Sequence, residues 1–116
     1  MTLLEGKVAI VTGAGQGVGR GIALALAREG AAVAVVGRTL EKCERTLAEI
    51  EALGGRGIAL ACKVNHRDQV EQTVKSVVAA LGGVDVLVNN AHTSNPIVPF
   101  EAVTDKDMAI AMHGFH

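Results

Sequence analysis

Four short runs of this sequence are almost unbroken in Val, Ile, Leu and Ala: Lys7–Thr12, Ala31–Gly37, Gly57–Val64 and Val84–Asn90. A strand with one wet face alternates apolar and polar residues. A run without alternation has both faces covered, which is the pattern of parallel strands packed between helices. Helical patterns fill the gaps. Val18–Glu29 is rich in Ala and Leu and stops at Gly30. Leu40, Cys43, Leu47, Ile50 and Leu53 recur three or four residues apart, with Glu41, Lys42, Glu44, Arg45 and Glu49 on the other faces and Gly54 and Gly55 at the end. Val70, Val74, Val77, Val78 and Leu81 form a third stripe, opened by Asn65 as cap and closed by Gly82 and Gly83. The order β-α-β-α-β-α-β predicts an α/β fold, a doubly wound parallel sheet of about four strands with right-handed crossovers. A loop with two prolines spans 91–102, and a last helix is expected from Thr104 to His116, with Thr104 and Asp107 at capping-box spacing.

Composition narrows the function classes. The chain has 116 residues, enough for one core, and is 49% hydrophobic and 20% charged, a globular balance. A net charge of −1 gives no electrostatic footprint for nucleic acid or an anionic membrane. Aromatic residues are 2%, with no Trp and no Tyr, so stacking platforms for single strands are missing. Cys43 and Cys62 are not in C-x-x-C spacing and read as small buried hydrophobes in a reducing compartment. The N-terminus has no basic segment followed by a long apolar one, and no apolar run reaches the roughly 18 residues of a membrane span. A cytoplasmic protein is expected, with neither nucleic acid nor membrane as partner.

The first strand runs into T-G-A-G-Q-G-V-G, Thr12–Gly19, with four glycines in eight residues. Such a loop opening a helix offers unpaired backbone N–H groups and a positive dipole end to an anion. No G-K-[ST] closes it, which excludes an ATP or GTP P-loop. The strict G-x-G-x-x-G also fails, since Val18 or Arg20 stands where its last glycine belongs. T-G-x-x-x-G-x-G does fit, through Thr12, Gly13, Gly17 and Gly19. A second motif, Asn89-Asn90-Ala91, ends the fourth strand. Together, in this order, the two motifs resemble the short-chain dehydrogenase/reductase family, from Gly6 to about Asp107.

The resemblance implies a Rossmann-type dinucleotide-binding domain over residues 1–116. The loop residues Gly13, Gly15, Gln16, Gly17, Val18 and Gly19 would hold the pyrophosphate. Asn89 and the backbone at Ala91 would lie beside the nicotinamide ribose. Gly37 stands at the end of the second strand, where NAD-selective relatives carry an acid, and Arg38 follows it. Glycine leaves room and a guanidinium matches a phosphate, so NADP is the expected cofactor, with NAD the other possibility. Against this, Gln16 stands where some NADP-dependent relatives have a basic residue. The third strand ends in Lys63-Val64 where relatives often have Asp-Val. A lysine cannot accept a hydrogen bond from the adenine amino group. The adenine contact then falls to the Val64 backbone, or Lys63 reaches a phosphate, or Lys63 points into solvent.

Family chemistry is hydride transfer between a nicotinamide and an alcohol or carbonyl, with a Tyr, a Lys and a Ser as its machinery. No Tyr occurs in this chain. His92 follows the N-N-A motif, and a histidine can exchange protons, but a lone loop histidine reads as a surface residue, and no catalytic residue is assigned. His113 and His116, one turn apart on a helical pattern, form a possible metal pair that Gly114 between them and the chain end weaken, and no metal site is assigned. The expectation is the cofactor-binding part of an oxidoreductase acting on a small alcohol or carbonyl. The alternative is a non-catalytic dinucleotide-binding or interaction module, and a third class is a purely structural assembly subunit. A four-stranded half-sheet leaves apolar faces bare, so either the chain is a piece of a longer one or it forms a homo-oligomer.

Overall fold

The expected strands form as β1 (Val8–Thr12), β2 (Ala32–Gly37), β3 (Arg56–Ala61) and β4 (Val86–Asn89). Helices α1 (Gly17–Arg28), α2 (Leu40–Ala52) and α3 (Arg67–Leu81) join them in turn. The structure, a computed structural model, describes residues 3–63 and 67–90, and the backbone alone of 111–113. All pairings are parallel, in the order β3-β2-β1-β4-β5, where β5 is Ala111–His113.

Every residue of β1 and β2 is buried, as unbroken apolar runs require. Alternate residues go to opposite faces. Val11, Val33 and Val35 meet Ala23, Leu24, Cys43 and Ile50 of α1 and α2 on one face. Val8, Ile10, Val36 and Leu87 meet Val77 of α3 on the other. Val11, Val33, Val35 and Val36 are at most 1% exposed, and each contributes roughly 1.5–3 kcal/mol of burial. β3 is only half-buried because it is an edge strand with β2 as its sole neighbour.

The α2 stripe is narrower than its spacing suggests. Cys43 and Ile50 are fully buried, while Leu40 and Leu53, at the helix ends, are 43% and 48% exposed. Thr46 is buried in their place because its hydroxyl donates to the Ala14 carbonyl at 3.0 Å. α1 stops as expected: Gly30 N–H bonds the Ala27 carbonyl and Ala31 N–H the Leu26 carbonyl.

The helix expected from Thr104 to His116 is corrected at Ala111–His113, the part of it that the structure describes, which is strand β5 and pairs Leu87 with Ala111 and Asn89 with His113. Ala109–His113 is a short apolar run, which periodicity cannot separate from a buried helical turn. β4 presents an open row of N–H and C=O groups there, and pairing with it decides the outcome. Asn65, His92, the loop 91–102, Thr104, Asp107 and His116 lie outside the described residues.

Because α1 and α2 cover one face and α3 the other, strand order reverses between β1 and β4. That reversal opens a crevice at the carboxyl ends of these two strands, where ligands of open α/β sheets bind.

Candidate functional site

The glycine loop is the turn from β1 into α1, at the mouth of that crevice. Gly13 and Gly17 have φ of 63° and 59°, a region that strains any side chain. Gly19 is needed for a different reason. A Cβ there would collide with the Gly13 carbonyl oxygen and lie 2.8 Å from Asn90 Nδ2. Its bareness lets α1 sit against both the loop and the end of β4. Two bonds hold the loop from behind: Ala14 N–H to the Val36 carbonyl at 3.0 Å, and Thr46 Oγ1 to the Ala14 carbonyl.

The start of α1 is left open. Its N-cap residue, Gln16, makes no side-chain capping bond, and its first turn holds no acid. The N–H groups of Gly17, Val18 and Gly19 therefore lack intrahelical or capping acceptors at the positive end of the dipole. The arrangement is suited to an anion.

Thr12 joins the two sides of the crevice. Its hydroxyl oxygen accepts the Asn90 backbone N–H at 2.8 Å and lies 3.2 Å from Asn89 Oδ1 and 3.4 Å from the Val88 carbonyl. The Asn89 side chain is thus turned toward Thr12.

Beside the loop lies a cleft of about 670 Å³, bordered by the glycine loop, the ends of β2 and β3, the first turn of α2, and Asn90. Gly37 makes room on its floor, since a Cβ there would lie 2.8 Å from Cys43 Sγ. Arg38, Lys42 and Lys63 bring three cations to the lining, and among the described residues that border it none is Asp or Glu. Lys42 Nζ donates to Gln16 Oε1 at 2.7 Å. The Lys63 backbone N–H is held by Gln69 Oε1 at 2.9 Å. Burial, with a smaller push from Glu44, raises the Cys43 thiol above its ordinary range, so it is an unreactive neutral wall. The Arg20–Glu49 pair, exposed between α1 and α2, holds Glu49 below its usual range and Arg20 above it.

Of the residues singled out from sequence, Gly13, Gly15, Gln16, Gly17, Val18, Arg38 and Lys63 share this one cleft. Gly19 is buried behind it, and Asn89 stands at the end of β4, bonded to Thr12. Val64 and Ala91 lie outside the described residues. Sequence reasoning missed Asn90, Thr39 and Lys42 as lining residues. The signal for the latter two was positional: the first turn after β2 emerges at the carboxyl edge of the sheet.

The family profile described as short chain dehydrogenase matches residues 7–113. The 3-oxoacyl-(acyl-carrier-protein) reductase of Staphylococcus epidermidis is 48% identical over 86 residues, covering 73% of this chain and 35% of that enzyme. A solved 7α-hydroxysteroid dehydrogenase, complexed with NADH and 7-oxo glycochenodeoxycholic acid, superposes with a TM-score of 0.77 at 38% identity, covering 84% of this chain and 38% of that one. A metagenomic short-chain oxidoreductase in complex with NADP gives a TM-score of 0.74 at 43% identity, covering 78% of this chain and 41% of that one. The chain spans well under half the length of the relatives it matches.

Proposed function

The chain belongs to the short chain dehydrogenase family, and from that premise we propose that it is the cofactor-binding part of an NADP-dependent oxidoreductase acting on a small alcohol or carbonyl. The observation that carries the reading is the glycine loop at the uncapped start of α1, with Gly19 bare against Gly13 and Asn90. The residues fit a dinucleotide. Open N–H groups of Gly17, Val18 and Gly19 suit a pyrophosphate. Gly17, with open space where a Cβ would stand, leaves its approach clear, and Asn89, the last residue of β4, with the Ala91 backbone after it in sequence, is the proposed nicotinamide-ribose contact.

The cofactor, when bound, supplies hydride exchange. The chain's own part is to bind and orient it, and no residue here is assigned to proton transfer. NADP over NAD is supported by Gly37 and Arg38 at the end of β2 and by a cleft lining that, among the described residues, carries cations and no carboxylate. Lys63 joins that lining, and the Val64 backbone is the proposed adenine contact. A cytoplasmic homo-oligomer completes the reading. No helix among the described residues is long and apolar enough to cross a membrane. Partly covered Ile58 and Leu60 on the edge strand β3 favour self-association.

Intact mass from the native source, combined with NADPH-linked turnover of that same material, tests the reading. A mass well above 11.9 kDa with cofactor-dependent carbonyl reduction supports it. Binding without turnover by a species of that mass favours a non-catalytic dinucleotide-binding module.

A further inference from the structure

We infer that Lys42 is a second determinant of cofactor choice, presenting an uncompensated ammonium beside Arg38 to the 2′-phosphate of NADP. The inference rests on the reading that the cleft holds a dinucleotide.

Three arginines of the described residues are matched with carboxylates: Arg20 with Glu49, Arg45 with Glu41, and Arg67 with Glu71. Lys42 is held differently. Its partner is the neutral amide oxygen of Gln16, at 2.7 Å. An amide fixes an ammonium without cancelling its charge, and only one of three donors is used. Glu41, the acid in the first turn of α2, lies 3.4 Å from Arg45. The positive charge at the cleft mouth is therefore not neutralised from its own helix.

The root of the side chain is fixed as well. A Cβ on Gly15 would lie 2.9 Å from Lys42 Cβ. A bare Gly15 thus lets α2 press against the loop, and Lys42 spans from α2 to the residue preceding α1. Thr39, the N-cap of α2, makes no side-chain capping bond and borders the same cleft. Helix start, Arg38 and Lys42 all offer positive charge to one region. NADH carries only the pyrophosphate charge, which the start of α1 already suits. A phosphomonoester of about −1.5 to −2 charge is the added feature that this surplus fits.

Equilibrium titration of the wild-type chain, Lys42→Met, Lys42→Arg and Gln16→Glu with NADPH and with NADH tests this. Methionine keeps the stem that packs at Gly15 and removes the ammonium, with both its charge and its hydrogen bond to Gln16. Lys42→Met should weaken NADPH about tenfold and NADH less than about twofold, with a shallower salt dependence for NADPH. Lys42→Arg should recover most of the loss. Gln16→Glu, which neutralises Lys42 and repels phosphate, should weaken NADPH at least as much as Lys42→Met. Equal losses for both cofactors in Lys42→Met, or no loss for either, overturn the role of Lys42 while leaving the dinucleotide site standing. A wild-type chain that binds neither cofactor overturns the site, and this inference with it.

Discussion

Thr12 Oγ1 accepts the Asn90 backbone N–H at 2.8 Å, across 78 residues of sequence. The β1–β4 ladder ends with Val11 opposite Val88. One residue further on, a side chain takes over the pairing and fixes the ends of both strands. Those ends are the two walls of the crevice at which strand order reverses. The glycine loop departs from one wall and the Asn89-Asn90 corner from the other, so one hydroxyl sets their spacing.

Thr12→Val keeps the shape and removes the acceptor. It should lower stability by about 1–3 kcal/mol, because the Asn90 N–H loses its partner in a part-buried site. Urea unfolding measures the change, and Thr12→Ser should restore most of it.

Two glycines of α1 give opposite outcomes for the same substitution. Gly19→Ala drives a methyl into the Gly13 carbonyl and toward Asn90 Nδ2, a backbone contact that no rotamer relieves. It should destabilise by about 1–3 kcal/mol and abolish dinucleotide binding. Gly21 has open space around its Cβ position. Gly21→Ala should stabilise by about 0.5–1 kcal/mol through helix propensity and leave binding unchanged. Thermal melts and cofactor titrations of the pair are the check.

Much of this was legible in the sequence because the central strands β1 and β2 are buried on both faces. Short unbroken runs such as Ala32–Gly37, rich in Val and bounded by turn glycines, read as covered strands, and those glycines mark where each helix stops. The site was legible where chemistry is spacing: Gly13, Gly17 and Gly19 announce a strand–turn–helix. Contacts between distant side chains were not. Nothing in the sequence brings Thr46 to Ala14 or Lys42 to Gln16, 32 and 26 residues apart. The helix expected over Thr104–His116 fails at Ala111–His113 because a short apolar run suits a strand as well as a helical turn. The open edge of β4, a property of the assembled sheet, decided it.

Arg38→Ala should separate the two cofactors. Arg38 lines the cleft at the end of β2 and is exposed there. Its loss should weaken NADPH by about tenfold and NADH by less than about twofold. Equal losses in parallel titrations would remove the 2′-phosphate role of Arg38.

Cys43 gives a pH dependence of known sign. Burial, and then Glu44, raises the thiol above its ordinary range, so the folded chain keeps the proton to higher pH than the unfolded chain. This contribution is full below the unfolded value of about 8.5 and is lost as pH rises through the folded one. Urea midpoints should fall as pH climbs past about 9, and Cys43→Ala should flatten that slope. At pH 8, iodoacetamide should spare Cys43 in the folded chain and label it in urea, as peptide mapping would show.

The central claim is that the Thr12–Gly19 loop holds a dinucleotide at the start of α1. An amide-resolved NMR titration of the chain with NADPH tests it most directly, since each glycine N–H reports separately. The account predicts saturable shifts largest at Gly13, Gly17, Val18 and Gly19, with Arg38 following, and little change on the outer face of α3. Absence of saturable shifts in the loop, or shifts centred elsewhere on the sheet, would contradict it.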